Sequence, residues 1–372
     1  MGNVYLAVKA LFDGLGVPYV LPEPNSKATL QKGSDCSPEE ICLPFKLMMG
    51  NYIGSIERGA DTVVITGSCG PCRFGEYCEL QMKTLKKLGY NTDFVVLDLS
   101  AEVGADEFLR RVRKISDASS LSGPAKIAEL LRAVRIMERI DRLEARAHEL
   151  AGYEVNKGDC KRIWRRFKAE AEKTDCPAAM ERVLREAEKE MESVPADMDR
   201  DPIRLAIIGE IYTVIEPFSN LYIEDRLMDY GVSTKRHMTP TWWLKDLILK
   251  PLKLNSLDLR LSSREYLPLY IGGHGRECIG EAVKAQREGL DGAIQIFPLG
   301  CMPEIVSKAI LPTIGRDKDF PIMTLIVDEM TGEAGYVTRI EAFLDMLMMR
   351  KSRAAHEKLG TRGIASCTIH IP

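Results

Sequence analysis

Short apolar runs recur along the chain: "TVVITG" (62–67), "TDFVVLDL" (92–99), "IRLAIIGEI" (203–211), "GAIQIFPLG" (292–300) and "PIMTLIVDE" (321–329). Each is the length of a strand and is bounded by Gly, Pro or an acid. Between them, apolar residues fall at helical spacing. Residues 3–17 predict an amphipathic helix stopping at Gly14 and Gly16, and "PYVLP" (18–22) predicts a short strand. A loop then leads to a helix after Pro44, and another helix is expected from about Phe74 to Leu88. In the C-terminal part, "PFSNLYIEDRLMDYG" (217–231) predicts a helix and "VSTKRHM" (232–238) a strand. "YLPLYIGG" (266–273), the run at 292–300 and the run at 321–329 each lead into a helix. Strands that alternate with helices predict a parallel sheet covered on both faces.

The middle of the chain breaks this rhythm. Residues 101–200 hold 21 Lys+Arg and 21 Asp+Glu, so the segment is dense in charge yet neutral. Stretches such as "LLRAVRIMERIDRLEARAHEL" are amphipathic and nearly free of Gly and Pro, which predicts a helical hairpin or small bundle with solvated charges. An inert structural insertion is the favoured reading over a docking surface. The organisation expected is an N-terminal α/β lobe over 1–100, this helical segment over 101–200, a C-terminal α/β lobe over 201–350, and a tail over 351–372. The fold class expected is α/β, two Rossmann-like, doubly wound parallel lobes separated by helices.

Composition narrows the field. A net charge of -3 gives no reason to expect nucleic acid or an anionic membrane as partner. No segment approaches the roughly 20 apolar residues of a membrane span, and the N-terminus lacks the features of a signal peptide. A cytoplasmic protein is expected. The ten cysteines then point to burial, catalysis or metal rather than to a disulfide framework.

The positions of the cysteines say more than their number. Cys69 and Cys72, in "CGPC", follow the strand at 62–67; Cys301 follows the strand at 292–300; Cys42 opens "CLPFK". In open α/β sheets, ligands collect beyond the carboxyl ends of the strands, where helix N-termini offer free N–H groups. That setting is expected to lower cysteine pKa and favour the thiolate that binds metal. Thiolates gathered singly from distant loops suit an iron–sulfur cluster, whereas zinc favours paired knuckles, and no second C-x2-C occurs. A thioredoxin-like dithiol, a structural zinc site and simple burial remain as alternatives. Cys78, one turn into the next helix, is balanced between the cleft and packing. Cys36 and Cys278 are weaker candidates, and Cys160, Cys176 and Cys367 are expected to do nothing.

"CLPFK" (42–46), "GADTVVITGSCGPCRFGEYC" (59–78), "IIGEIYTVIEPFSN" (207–220), "FPLGCMPEIVSKAI" (297–310) and "VDEMTGEAGYVTRIEAFLD" (327–345) together resemble the acyl-CoA dehydratase activase-related proteins. These are relatives of the 2-hydroxyacyl-CoA dehydratase and benzoyl-CoA reductase iron–sulfur subunits. The resemblance runs over roughly residues 2 to 350. It implies two Rossmann-like lobes with an oxygen-sensitive iron–sulfur cluster between them. It also implies a partner, a homodimeric ATP-dependent activase of the actin-like fold that carries its own 4Fe-4S cluster and injects low-potential electrons. Cys42, Cys69, Cys72 and Cys301 match positions where that branch keeps cysteine, so they are the implied ligands. Cys36, Cys78 and Cys278 are extras that admit a larger group, such as a double cubane of two joined 4Fe-4S units. The cysteine spacing departs from the dehydratase subunits proper and no CoA-thioester channel can be traced. ATP-coupled reduction of a small-molecule substrate, or electron relay, is therefore expected in place of dehydration. The chain also lacks the family's first strand before "NVYLAVKALFDGLG", which predicts a truncated or displaced start.

Further residues are candidates for the chemistry. Glu210, Asp328 and Glu329 end strands and should face the same crevice, where an acid could deliver protons with electrons; helix capping is the competing role. His274, in "GGHG", is a second proton donor candidate. Lys46 and Arg73 lie beside ligand cysteines and are expected to offset the charge of thiolates and cluster. No P-loop pattern occurs, so ATP hydrolysis is assigned to the partner. "TWWL" (241–244) and "DMLMMR" (345–350) fit core packing or a subunit contact in a homo-oligomer.

Overall fold

A computed structural model describes residues 2–66, 72–97, 104–249 and 255–364. Cys69 and Cys367 lie outside the described residues. The protein is a mixed α/β structure with two parallel sheets.

The larger sheet is built from β3 (Arg204–Gly209), β4 (Ser233–Lys235), β5 (Gly292–Pro298) and β6 (Ile322–Val327), in the order β4-β3-β5-β6. All its pairings are parallel. Side chains alternate between its faces. Leu205, Ile207, Ile294, Ile296, Leu325 and Val327 enter one core, and Ala206, Ile208 and Ala293 enter the other. The first face is covered by α10 (Ile223–Asp229) and by the start of α15 (Glu333–Ile364). The second is covered by α13 (Gly275–Arg287) and α14 (Met302–Asp317), while the short α12 (Leu257–Ser263) packs on α13. Each large apolar side chain buried this way contributes about 1.5–3 kcal/mol.

The smaller sheet has only β1 (Thr62–Thr66) and β2 (Asp93–Leu97), parallel and in register from Thr62–Asp93 to Thr66–Leu97. The expected strand "PYVLP" is not formed. Its two prolines remove ladder donors, and Tyr19 instead packs on Phe12 and donates its hydroxyl to Asp13 at 2.7 Å. Residues 266–273 are likewise not a strand but a run into α13. Conversely, part of the expected loop is a helix, α2 (Lys27–Ser34), started by the Ser26 side chain accepting from the Thr29 amide.

α3 (Leu43–Glu57) joins the two sheets. Leu43 and Leu47 enter the first core of the large sheet, whereas Phe45, Met49 and Ile53 pack with Tyr77 and Leu85 against the small one. The charged middle segment folds as α5 (Ala105–Ser116), α6 (Gly123–Leu150), α7 (Asp159–Ala171) and α8 (Pro177–Glu192). The last three bury Ile136, Trp164, Phe167 and Met180 together with Leu6 and Ala10 of α1 (Val4–Leu15), so α1 belongs to this bundle. No helix among the described residues is long and apolar enough to cross a membrane.

Candidate functional site

In the order β4-β3-β5-β6, the chain leaves β3 for one side and returns to the other, so a crevice opens beyond the ends of β3 and β5. Gly209 ends β3 with φ +134, and a Cβ there would stand 1.9 Å from the Ile296 carbonyl oxygen. Only glycine lets the chain turn away so close to β5. The next residue is Glu210, and Cys301 closes the loop after β5.

Three of the expected cysteines lie around this crevice and influence one another electrostatically. Cys42 is the N-cap of α3, Cys301 is the N-cap of α14, and Cys72 precedes a 3-10 turn over Arg73–Glu76. Pro44 and Pro303 occupy the first turns of α3 and α14, where a missing N–H costs nothing. The Cys42 sulfur is hydrogen-bonded to the Tyr77 hydroxyl, and Tyr77 is held edge-on by Phe45 at 5.0 Å. Cys72 lies against the glycine turn before α13: a Cβ on Gly273 would be 4.0 Å from that of Cys72 and 2.9 Å from Pro303 Cγ.

The expectation that helix starts would lower these pKa values is overturned. Burial pushes all three thiols up, and Glu210 raises each of them further. Arg73 pulls Cys42 and Cys72 back only in part. Desolvation of a thiolate outweighs the few N–H groups that face it, so these thiols hold their protons unless a cation displaces them. The three thiols are soft donors drawn from three elements, with Cys42 and Cys301 buried and Cys72 half-buried. Among the described residues, no three His, Cys, Asp or Glu side chains stand close enough to hold one ion between them.

The other candidates are placed as follows. Arg73 donates to the Gly300 carbonyl at 2.6 Å and to the Glu40 carbonyl at 3.2 Å, clipping the N-terminal part to the loop before Cys301. Lys46, only 2% exposed, is ion-paired with Glu329 and donates to the Glu39 carbonyl at 2.9 Å. Its charge is thus matched by Glu329 and not left for the cysteines, and Glu329 is engaged in turn. Glu210 accepts from the Tyr212 and Thr213 amides, each at 2.9 Å, as N-cap of the short α9 (Ile211–Ile215). Asp328 caps its own turn through Met330 and Thr331. His274 starts α13 without a capping hydrogen bond, its ring 5.5 Å from Trp242 in α11 (Pro240–Leu249).

The remaining cysteines stand apart. Cys78 is half-buried in α4 (Tyr77–Lys87) and shares electrostatics with Tyr52 and Glu79. The Cys36 thiol donates to the Gly33 carbonyl at 3.3 Å. Cys278 is fully buried in α13 beneath the large sheet, beside Gln295 and Glu304.

Tyr77 and Glu304 are neighbours of these cysteines that the sequence reading missed. Glu304 follows Cys301 by three residues, in the first turn of α14, and its amide faces the Cys301 sulfur. Burial raises its carboxyl to about 7, although Gln295 donates to it at 2.8 Å. A cysteine followed three residues later by Glu at a helix start was the available signal. A cavity of about 150 Å³ lies elsewhere, between α6, α7 and α10, and is lined by charges of both signs including Arg165, Lys168 and Glu224.

No protein-family model and no curated protein matches this chain.

Proposed function

We propose that the chain is an iron–sulfur protein with two Rossmann-like lobes, whose cleft holds a cluster through Cys42, Cys69, Cys72 and Cys301. What supports this reading is that Cys42, Cys72 and Cys301 each stand at the start of a separate helix or 3-10 turn beside the crevice of the large parallel sheet. A cluster would supply low-potential one-electron chemistry. The chain's own residues bury the thiols, exclude water through Phe45 and Tyr77, and hold the two halves together through Arg73 and Lys46. Electrons would come from a partner ATPase activase and pass to a small substrate in the cleft. Because the thiols are neutral when unligated, loading would release protons.

Preparation without oxygen, followed by iron and sulfide analysis and an electronic spectrum, tests the proposal. Iron with matching sulfide is the expected result, and Cys301→Ser should lower it as far as Cys69→Ser does. Protein that holds neither element after reconstitution would sink the idea. A single equivalent of zinc, or disulfide reductase activity that survives Cys301→Ser, would replace it with a zinc site or a dithiol. If the cluster takes up electrons but no small substrate is turned over, the chain is an electron relay.

A further inference from the structure

The cavity of about 150 Å³ lies where the helical bundle meets α10 of the large sheet. Its bundle wall includes Trp164 and Lys168 of α7, and its sheet wall includes Pro217 and Tyr222 of the turn before α10. Arg165 and Tyr222 are exposed lining residues, so the cavity opens to solvent. Such a volume accepts a body of about six carbon atoms, the size of benzene.

The sheet wall is held in a costly shape. Leu221 and Tyr222 are consecutive non-glycine residues with φ +54 and +58. Asn220 fixes this turn by donating to the Thr213 and Val214 carbonyls at 3.0 and 3.1 Å and accepting from the Ile223 amide at 3.2 Å. Strained backbone of this kind persists where its surroundings impose it, and it clusters at ligand clamps.

The charges around the cavity are answered unevenly. Glu144 accepts from Arg236 at 2.6 Å and from Asn3 at 2.7 Å. Glu224 is paired with Arg236 and lies 3.1 Å from His148. Asp225 is paired with Arg165 at 2.7 Å and with Lys161 at 3.9 Å. Each of these carboxylates therefore has a cationic partner. Lys168 has no anionic one among the described residues; its ammonium stands 5.3 Å from the centre of the Trp164 ring. An aromatic face holds a cation weakly and leaves it able to take an anion. A second negative charge on the ligand would meet three carboxylates nearby, so one charge suits the site better than two. Beside Lys168, Pro217 and the rings of Trp164 and Tyr222 supply apolar wall.

We propose that this cavity binds a short-chain monocarboxylate, its carboxylate on Lys168 and its carbon chain against Pro217, Trp164 and Tyr222. Since the walls come from the bundle and from the large sheet, the ligand fastens one to the other. The site is independent of any cluster in the cysteine cleft.

Titration of the whole chain with sodium butyrate, followed by saturation-transfer NMR and by thermal melting, tests it. Saturable binding with a Kd of about 1 mM or below is expected, well within the reach of a ligand this small. The melting temperature should rise with butyrate concentration. Butyramide, of the same shape but uncharged, should bind about tenfold more weakly or worse, because a hydrogen bond between charged groups is lost. Lys168→Met should weaken butyrate by a similar factor, whereas Lys173→Met, the same change of charge just past α7, should not. Butyrate that does not saturate, or that binds no better than butyramide, overturns the site, and neither result needs a variant. Inorganic phosphate that binds more tightly than butyrate overturns the assignment to a carboxylate. Unchanged butyrate binding in Lys168→Met overturns the placement of the carboxylate.

Discussion

Replacing Arg236 by Met tests how the bundle is fastened to the large sheet. The guanidinium is 6% exposed between Glu144 of α6 and Glu224 of α10. It donates to Glu144 at 2.6 Å and to Glu224; Asn3 donates to the other Glu144 oxygen at 2.7 Å, and His148 lies 3.1 Å from Glu224. Methionine fills similar volume but leaves two buried carboxylates facing one imidazole. Removing one member of such a buried set costs about 3–5 kcal/mol. In urea this is a fall in midpoint on the order of 1–2 M. The pH dependence gives a second check. Burial pushes the Glu224 carboxyl up, but Arg236 and His148 outweigh it and hold it lowered to about 2. Native Glu224 therefore contributes stability that is present above its unfolded value of about 4.3 and is lost as pH falls through the folded value. Without Arg236, burial is opposed by His148 alone, so the orphaned acids should take up protons and the deficit should shrink on going from pH 7 to pH 5. Adding Glu144→Gln and Glu224→Gln to Arg236→Met should recover more than half of the loss. A deficit under about 1 kcal/mol, or one that does not change with pH, would refute the reasoning.

Other outcomes follow from the same geometry. Burial pushes the His148 imidazole down, but Glu224 outweighs it and its pKa is raised. Its stabilisation should be full below about 6.5 and lost as pH rises through the folded value, so His148→Gln should cost more at pH 6 than at pH 9 in denaturant titrations. Phe45→Ala, at a position with 0% exposure, should cost about 3–5 kcal/mol in the same assay. It would also loosen Tyr77, so thiol labelling at Cys42 should quicken. Gly209→Ala should lose at least about 1–3 kcal/mol from backbone strain alone, with the Ile296 clash added; thermal melting reads it. Lys46→Met should leave the fold standing but speed hydrogen exchange at residues 328–332, where Glu329 loses its partner.

Much of the large sheet was legible because its strands are continuous apolar runs ended by Gly, Pro or acid. β3, β5 and β6 each fall within such a run. The small sheet was over-read: "PYVLP" has the hydrophobicity of a strand, but two prolines cannot supply a ladder, and apolar content alone does not report hydrogen-bond donors. α2 was missed for the opposite reason, being short, polar and signalled mainly by Ser26. At the site, Cys42, Cys72 and Cys301 were readable as residues beside turns. Their protonation was not, because desolvation depends on what packs around a sulfur. Nor could spacing reveal that Lys46 pairs with Glu329, or that Gln295 donates to Glu304, since both contacts cross between elements. Of the acids at strand ends, Glu210 and Asp328 display capping, the role that competed with proton delivery in the sequence.

The shared loyalties of α3 and α1 bear on the order in which the chain folds during synthesis. Leu43 and Leu47 need the large sheet, which begins at Arg204, and Leu6 and Ala10 need helices that end at Glu192. These segments therefore wait, with apolar faces uncovered, until the later helices and strands have followed. Folding cannot proceed strictly in chain order, and α1 and α3 need protection from aggregation until their partners arrive.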